Sequence, residues 1–270
     1  MDGQDRAIDG ACVSHGRCRC AWPCRALWVV LVVCSVLVIP LHAKEYTFIA
    51  EITPPYTYFD NKQISGIYKD FLDNAFAASE HSYVLKGFNT RRLITAVGNT
   101  EFDAVIGVSS YAPYYGVFKT SIPIGSSSLH PISLDGMLDE PYTASLSAKR
   151  VGAVYGLGFD KLFPNIDLQG YRYAEQGVVE LFNHKIEIII EDPLIILCTS
   201  ELIRGLIPAN SQLYAHSPPL KVVDLYIGLY EPEHPLTELL TRSVELADVS
   251  RLSVKYFRSC GAGSDLVISR

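Results

Sequence analysis

The feature that most constrains this chain is an alternation of strand-like and helix-like segments, which occurs twice along its 270 residues. Short apolar runs bounded by glycine or a charged residue, such as residues 46–51 and 103–107, predict buried strands. Apolar residues at helical spacing follow the first of them, from Ile67 to Phe76. Strands that alternate with helices of this length form βαβ units around a mainly parallel sheet, so we predict an α/β fold.

Two irregular stretches, residues 109–134 and 208–219, interrupt this alternation. They are rich in proline, serine and tyrosine, and we interpret them as extended crossovers. Strand-like segments begin again at residues 150–155 and 222–230. Two similar βα sets separated by extended crossings predict two lobes with a cleft between them. We assign residues 44–129 and 222–270 to lobe 1, and residues 130–221 to lobe 2.

The first 43 residues predict an export signal. Residues 26–41 form an apolar run that is shorter than the roughly 20 residues of a membrane-spanning helix. The small residue Ala43 follows, so we expect cleavage after it and a location in the periplasm. The segment before the apolar run is unusually long for a signal peptide. This leaves two alternatives, a true start downstream of Met1 or an uncleaved anchor.

Charge and cysteine content narrow the function classes. The net charge is −6 and the chain has no basic patch, which argues against nucleic-acid binding. The segment after Ala43 has no apolar run that predicts a membrane span. Five of the seven cysteines belong to the leader, which leaves Cys198 and Cys260. They can form a disulfide in an oxidising compartment, although nothing in the sequence places them together.

The stretch after the first strand predicts one wall of the cleft. Pro54 and Pro55 restrict the backbone and hold Tyr56 and Tyr58 near the end of the strand. Open α/β sheets bind ligands at the carboxyl ends of their strands. These tyrosines therefore either line a binding site or cap the core.

Six segments in this order together resemble the bacterial extracellular solute-binding proteins of family 3, the amino-acid-binding type. They are residues 54–60 with Gly66 and Asp70, residues 92–103, residues 121–123, residues 150–158, residues 187–192, and residues 226–230 with Pro235 and Leu236. The resemblance implies a type II periplasmic-binding-protein-like fold, in which two βα lobes joined by two extended crossovers close on a small solute. It further implies delivery of the solute to an ABC-type transporter. The alternative is a periplasmic sensor that works without a transporter.

The resemblance also implies roles for individual residues. Tyr56 and Tyr58 match the family's aromatic wall against the solute, and Asp192 matches the carboxylate that binds the solute's amine. The alternative for Asp192 is an acidic residue that stabilises a helix N-terminus. Arg92 either faces the cleft or lies exposed in the first turn of a helix.

Two positions depart from the family's pattern. The family has an arginine that grips the solute's carboxylate where this chain has Tyr114, and a hydroxyl residue where it has Leu157. A tyrosine cannot supply the bidentate fork of a guanidinium group. We therefore predict that ordinary free α-amino acids bind poorly, and that the solute is neutral or cationic at the end facing lobe 1.

Some relatives of this fold are enzymes, so catalysis is a third hypothesis. No His or Cys of this chain has a recognisable catalytic spacing, and Gly156-Leu-Gly158 lacks the rest of a dinucleotide-binding fingerprint. We expect a protein without enzymatic activity, cofactor or metal. The expected partners are a small-molecule solute and either an ABC permease or a membrane sensor, with no nucleic acid, and the expected oligomeric state is a monomer.

Overall fold

The computed structural model describes residues 43–99, 101–136, 138, 142–208, 211–246, 249–261 and 266–269. The predicted signal peptide lies outside the described residues except for Ala43. Residues 43–270 form one structural unit. Within the described part of this unit, no helix combines the length and the apolar character that crossing a bilayer requires.

Strands and helices alternate through most of the described chain. The strands are β1 (Glu45–Glu51), β2 (Tyr58–Asp60), β3 (Gln63–Ser65), β4 (Ser82–Phe88), β5 (Ala104–Ser109), β6 (Thr120–Ser133), β7 (Val151–Val154), β8 (Leu168–Tyr171), β9 (Ile188–Glu191), β10 (Leu213–His216), β11 (Lys221–Leu229) and β12 (Leu266–Ser269). The helices are α1 (Ile67–Phe76), α2 (Thr90–Val97), α3 (Tyr142–Ser147), α4 (Phe159–Leu162), α5 (Ala174–Phe182), α6 (Pro193–Leu202), α7 (Leu236–Leu246) and α8 (Val249–Gly261). Single 3₁₀ turns lie at Tyr115–Val117 and Arg204–Leu206.

The first end of the main sheet consists of β4, β1 and β5, which run parallel in that spatial order. Successive side chains of a strand point to opposite faces. Phe48 of β1 accordingly packs with Phe71 of α1, whereas its neighbour Ile49 packs with Leu93 of α2. Helices cover both faces, which is why β1 is apolar at consecutive positions rather than at alternate ones.

The second end of the sheet consists of β8, β7 and β9, which are also parallel. Val154 of β7 and Ile189 of β9 pack there with Val178 of α5 and Ile196 of α6. Each sheet end thus has its own core, as two βα sets require.

The long antiparallel pair of β6 and β11 connects the two ends. Their register runs from Thr120 opposite Leu229 to Leu129 opposite Lys221. Towards one end β11 pairs with β5, and towards the other end β6 pairs with β9. Strand β6 lies within the first predicted extended crossover, residues 109–134, whereas β11 follows the second one, residues 208–219. Residues 120–133, predicted as irregular, are instead one long strand, because ladder hydrogen bonds to β11 and β9 hold a serine-rich sequence extended.

The last part of the chain returns to both ends of the sheet. Helices α7 and α8 contact α1 and β6, and α8 also contacts α6. A disulfide joins Cys198 of α6 to Cys260 of α8, which settles the pairing that the sequence left open. Strand β12 pairs in parallel with β10. The prediction assigned residues 222–270 to lobe 1 and residues 130–221 to lobe 2. The backbone pairing of residues 266–269 is with residues 213–216, which belong to the predicted lobe 2. The division itself stays a prediction.

Candidate functional site

A cavity of about 100 Å³ lies where the two ends of the sheet face each other. Residues at the carboxyl ends of β1, β5, β7 and β9 contribute to it, as expected for a ligand site of an open α/β sheet. Its polar lining comes mainly from tyrosines and carboxylates, which are Tyr56, Tyr68, Tyr111, Tyr114, Tyr173, Glu51, Glu175 and Glu191. No Lys, Arg or His is among the described residues that line it.

The loop after β1 positions the first tyrosines through backbone contacts. Ile67 N–H donates to the carbonyl oxygen of Pro55 over 3.0 Å, and Tyr68 N–H donates to that of Tyr56 over 3.0 Å. Gly66 makes this loop conformation possible, because its φ is +124° and a Cβ there would lie 2.5 Å from the Tyr56 carbonyl oxygen. The loop is therefore fastened to the start of α1, and Tyr56 and Tyr68 stack with ring centroids 5.3 Å apart.

Asp192 lies behind this wall rather than in it. Its Oδ2 accepts hydrogen bonds from the Tyr56 hydroxyl at 2.8 Å and the Ser127 hydroxyl at 2.6 Å. Its Oδ1 accepts from Leu194 N–H at 2.8 Å and so caps α6. Tyr56 and Asp192 are each only 6% exposed. Asp192 therefore caps the N-terminus of α6, as one of its two predicted alternatives describes, and its amine-binding role stays a prediction.

Its neighbour Glu191 supplies the carboxyl group that lines the cavity. Glu191 is 5% exposed, and its Oε1 accepts from Asp192 N–H at 3.0 Å. Burial raises the pKa of Glu191 to about 8, with the hydrogen bond from Asp192 N–H opposing the increase and the nearby carboxylates Asp192 and Glu51 adding to it. The sequence analysis predicted Asp192, the next residue, and did not predict Glu191. The available signal was strand parity, since Ile189 and Glu191 share a face at the end of β9.

Glu51 ends β1 and lines the same cavity. Burial raises its pKa to about 7, while a hydrogen bond from the Thr90 hydroxyl opposes the increase. Both carboxyl groups therefore hold a proton more readily near neutral pH than exposed ones do. A cation in the cavity would favour their ionised forms.

Tyr114 and Leu157, where the chain departs from the family's pattern, both line the cavity. The Tyr114 and Tyr68 hydroxyls have no hydrogen-bond partner among the described residues, although both side chains are buried. Burial raises the pKa of each hydroxyl, so both stay neutral donors. Next to Leu157, a Cβ on Gly158 would lie 2.5 Å from the Tyr111 carbonyl oxygen, so the opposing walls touch there.

Besides Asp192, two predicted site residues lie outside the cavity lining. Tyr58 belongs to the β2–β3 hairpin and packs, partly buried, against the core around α1. Arg92 lies in the first turn of α2, with its guanidinium 5.3 Å from the centre of the Phe88 ring. It lines a separate outer groove. The structure thus brings Tyr56, Tyr114 and Leu157 together and places Tyr58, Arg92 and Asp192 elsewhere.

Among the residues that the structure describes, no group of three or more His, Cys, Asp or Glu side chains is arranged to hold a metal ion. The chemistry that the cavity offers is charge pairing through its carboxyl groups, hydrogen bonding through its hydroxyls and stacking on its rings.

No protein-family model matches the sequence, and no similar sequence was found among curated proteins. The fold, in contrast, is shared with many solved structures. A periplasmic binding protein of Salmonella typhimurium with high arginine specificity is 16% identical, with a TM-score of 0.62 over 80% of this chain and 99% of that one. An amino acid ABC transporter substrate-binding protein of Streptococcus pneumoniae, bound to L-arginine, is 14% identical, with a TM-score of 0.63 over 82% and 95%.

The GluR0 ligand-binding core of Nostoc punctiforme, in complex with L-glutamate, is 15% identical, with a TM-score of 0.62 over 79% of this chain and 98% of that one. These likenesses confirm the predicted type II periplasmic-binding-protein-like fold. At such low identity they establish the fold alone.

Proposed function

Starting from a fold that it shares with periplasmic amino-acid-binding proteins, we propose that this protein encloses a small amine-bearing solute between its two lobes. The single observation that carries the proposal is the cavity at the strand ends, which has carboxyl groups and tyrosine hydroxyls but no cationic side chain in its lining. The protein acts by binding, without catalysis and without a cofactor.

Glu191 and Glu51 are the anionic partners of the amine. A bound ammonium group lowers the pKa of both carboxyl groups and compensates for their burial. Tyrosine faces attract the same cation through their ring quadrupoles. At the position where a carboxylate would need a guanidinium fork, the wall instead has Tyr114 and Leu157. These contacts support an amine and disfavour the carboxylate of a free α-amino acid.

Cavity size supports the same choice. An engineered apolar cavity that binds benzene measures about 150 Å³, whereas this cavity measures about 100 Å³. A solute of a few non-hydrogen atoms fits the enclosed form, and arginine or glutamate does not.

Titration calorimetry of the full chain tests the proposal. Ethylamine and trimethylamine are compared with ethanol, which lacks the charge, and with arginine and glutamine. We expect the amines to bind, with a loss of affinity of about tenfold or more in Glu191→Gln because one charge-assisted contact is removed. The matched control is Glu238→Gln, which changes an exposed glutamate paired with Arg242. Micromolar binding of an amino acid without any amine binding would overturn the assignment.

A transporter partner and a sensor role make different demands on lobe motion. Delivery to an ABC permease in the periplasm requires the lobes to open and close around the solute. The hydrogen bonds from Tyr56 and Ser127 to Asp192 connect the two predicted lobes, and opening the cleft would break them. This favours the second candidate, a transporter-independent sensor. Small-angle scattering distinguishes them. Solute-dependent compaction of a monomer supports the transport role, and an unchanged radius of gyration supports the sensor.

A further inference from the structure

The outer groove has a different composition from the cavity. It measures about 650 Å³. One wall is the start of α2, residues 89–95, and the other consists of Tyr155 and Gly156 after β7 and Arg172 and Tyr173 after β8. A Cβ on Gly156 would lie 3.4 Å from the Ile94 side chain, so the two walls meet at this point.

Three arginines line the groove, Arg91, Arg92 and Arg172. All three side chains are exposed, and within the described residues none forms a salt bridge. The Phe88 ring beneath the Arg92 guanidinium restricts its orientation. No Asp or Glu is among the described residues that line the groove, in a chain whose net charge is −6. The groove is therefore a concentrated positive site on an acidic protein.

Two tyrosine rings accompany these charges. Tyr155 is 77% exposed and Tyr173 is 55% exposed, and both line the groove. Large aromatic side chains that remain mostly in water offer flat surfaces on which a ring can stack. The groove also falls within the roughly 300 to 1,000 Å³ that small-molecule sites occupy.

We propose that this groove is a second binding site, which takes a small organic anion with a carboxylate or phosphate group on a flat ring. Arginine binds either group in a bidentate manner, and side chains on opposite walls can grip it from both sides. The ring then lies against Tyr155 or Tyr173. A small molecule suits the groove better than a protein segment, because its walls are limited to the start of one helix and two short turns.

This proposal is independent of the solute in the cavity. An engineered apolar cavity that binds benzene measures about 150 Å³, and the cavity of this protein is smaller, at about 100 Å³. A ring-bearing anion that binds therefore reports on the groove, and an aliphatic amine reports on the cavity.

The experiment titrates benzoate and phenyl phosphate into the full chain by calorimetry, with benzyl alcohol as the uncharged control of the same shape. We expect both anions to bind, the alcohol to bind at least about tenfold more weakly, and the anion affinity to fall as salt is added. Nuclear magnetic resonance of the arginine side-chain N–H groups locates the site, since only the signals of Arg91, Arg92 and Arg172 should shift.

The combined variant Arg92→Gln and Arg172→Gln should reduce anion affinity by about tenfold or more, since it removes one charge-assisted contact from each wall. Arg242→Gln, which changes an exposed arginine paired with Glu238, should leave it unchanged. Equal binding of benzoate and benzyl alcohol, or an undiminished affinity in the combined variant, overturns the proposal. Binding of an acidic peptide by these arginines, with no binding of either small anion, also overturns it in favour of a protein partner.

Discussion

The cavity and the outer groove lie side by side, with Tyr173 in the lining of both, yet they have opposite charge and opposite exposure. The enclosed cavity has carboxyl groups whose pKa values are raised by burial. The open groove has three exposed arginines. Burial thus controls which ionisable groups each region can have. A buried carboxyl group can take up a proton and become neutral, whereas an arginine remains charged and has to be exposed or paired.

The two regions also differ in their connection to the core. Tyr56 and Tyr68 of the cavity wall belong to the hydrophobic cluster around α1. Tyr155 and the three arginines belong to none of the clusters among the described residues. A substitution in the cavity wall should therefore change folding and binding together, and a substitution in the groove should change binding alone.

Replacing Tyr56 by alanine should give the largest loss of stability. A buried aromatic ring is removed, and Asp192 loses a hydrogen-bond donor, so we expect the free energy of unfolding to fall by about 3 to 5 kcal/mol. Tyr56→Phe keeps the ring and should cost about 1 to 2 kcal/mol. Urea unfolding measures both. A loss below about 1 kcal/mol for Tyr56→Ala would contradict the assignment of this residue to the core.

Removing the disulfide should have the next largest effect. Cys198 and Cys260 are 62 residues apart in sequence, and their bond restricts the unfolded chain. We expect the double variant Cys198→Ala and Cys260→Ala to lose about 2 to 4 kcal/mol in urea unfolding. Benzoate binding in the groove should be unaffected, since neither cysteine lines it. If anion affinity fell as far as stability did, the two regions would not be separate.

The fold was predictable because apolar periodicity appears wherever a segment is buried on a regular face. Residues 120–133 were not predicted as a strand, since their serine run has no period of two and only their partner strands fix them. Strand β12 was missed for the same reason, because its pairing with β10 links residues far apart in sequence.

For the site, Tyr56, Tyr114 and Leu157 follow strand ends or a glycine turn, and the sequence predicted three residues that the structure places at the cavity. Of the two neighbouring acids, the structure places Glu191 in the cavity lining and the predicted Asp192 outside it. Asp192 precedes a proline and suits a helix cap, whereas Glu191 is the last residue of its strand, and only side-chain direction separates the two. Arg92 was linked to the cleft, but the position of α2 directs it to the groove.

The pH dependence of the free energy of unfolding should report on the carboxyl groups of the cavity, which have no counterpart among the described residues of the groove. The folded-state pKa values of Glu51 and Glu191 are raised to about 7 and about 8. At a pH between the unfolded-state and folded-state pKa values of these two groups, the folded protein binds more protons than the unfolded chain does. Their contribution to the free energy of unfolding should therefore fall as the pH rises from 5 to 9. Glu191→Gln should flatten this slope, by at least about 1 kcal/mol over the range. Buried His216 and His234, whose pKa values are lowered, contribute with the opposite sign, so the difference between Glu191→Gln and the unchanged protein is the test. An identical slope in the two would contradict the burial of Glu191.

Replacing Tyr155 by alanine should have the smallest effect on stability. Its ring is mostly in water, so urea unfolding should change by less than about 0.5 kcal/mol. Benzoate affinity should nevertheless decrease, because a stacking surface is removed. A large loss of stability would mean that the groove belongs to the core, and the contrast between the two regions would disappear.

Gly158 should influence the equilibrium between open and closed conformations of the protein. Any side chain at this position meets the Tyr111 carbonyl oxygen across the cleft, and its φ of +87° already favours glycine. In the open form that the proposed function implies, this clash would be absent, so a larger residue at position 158 would favour that form. It would reduce the population of the closed form without changing any residue that lines the cavity. The apparent affinity for a solute is reduced by the fraction of molecules that can close. A residue outside the binding contacts can thus set how much of the intrinsic affinity is observed.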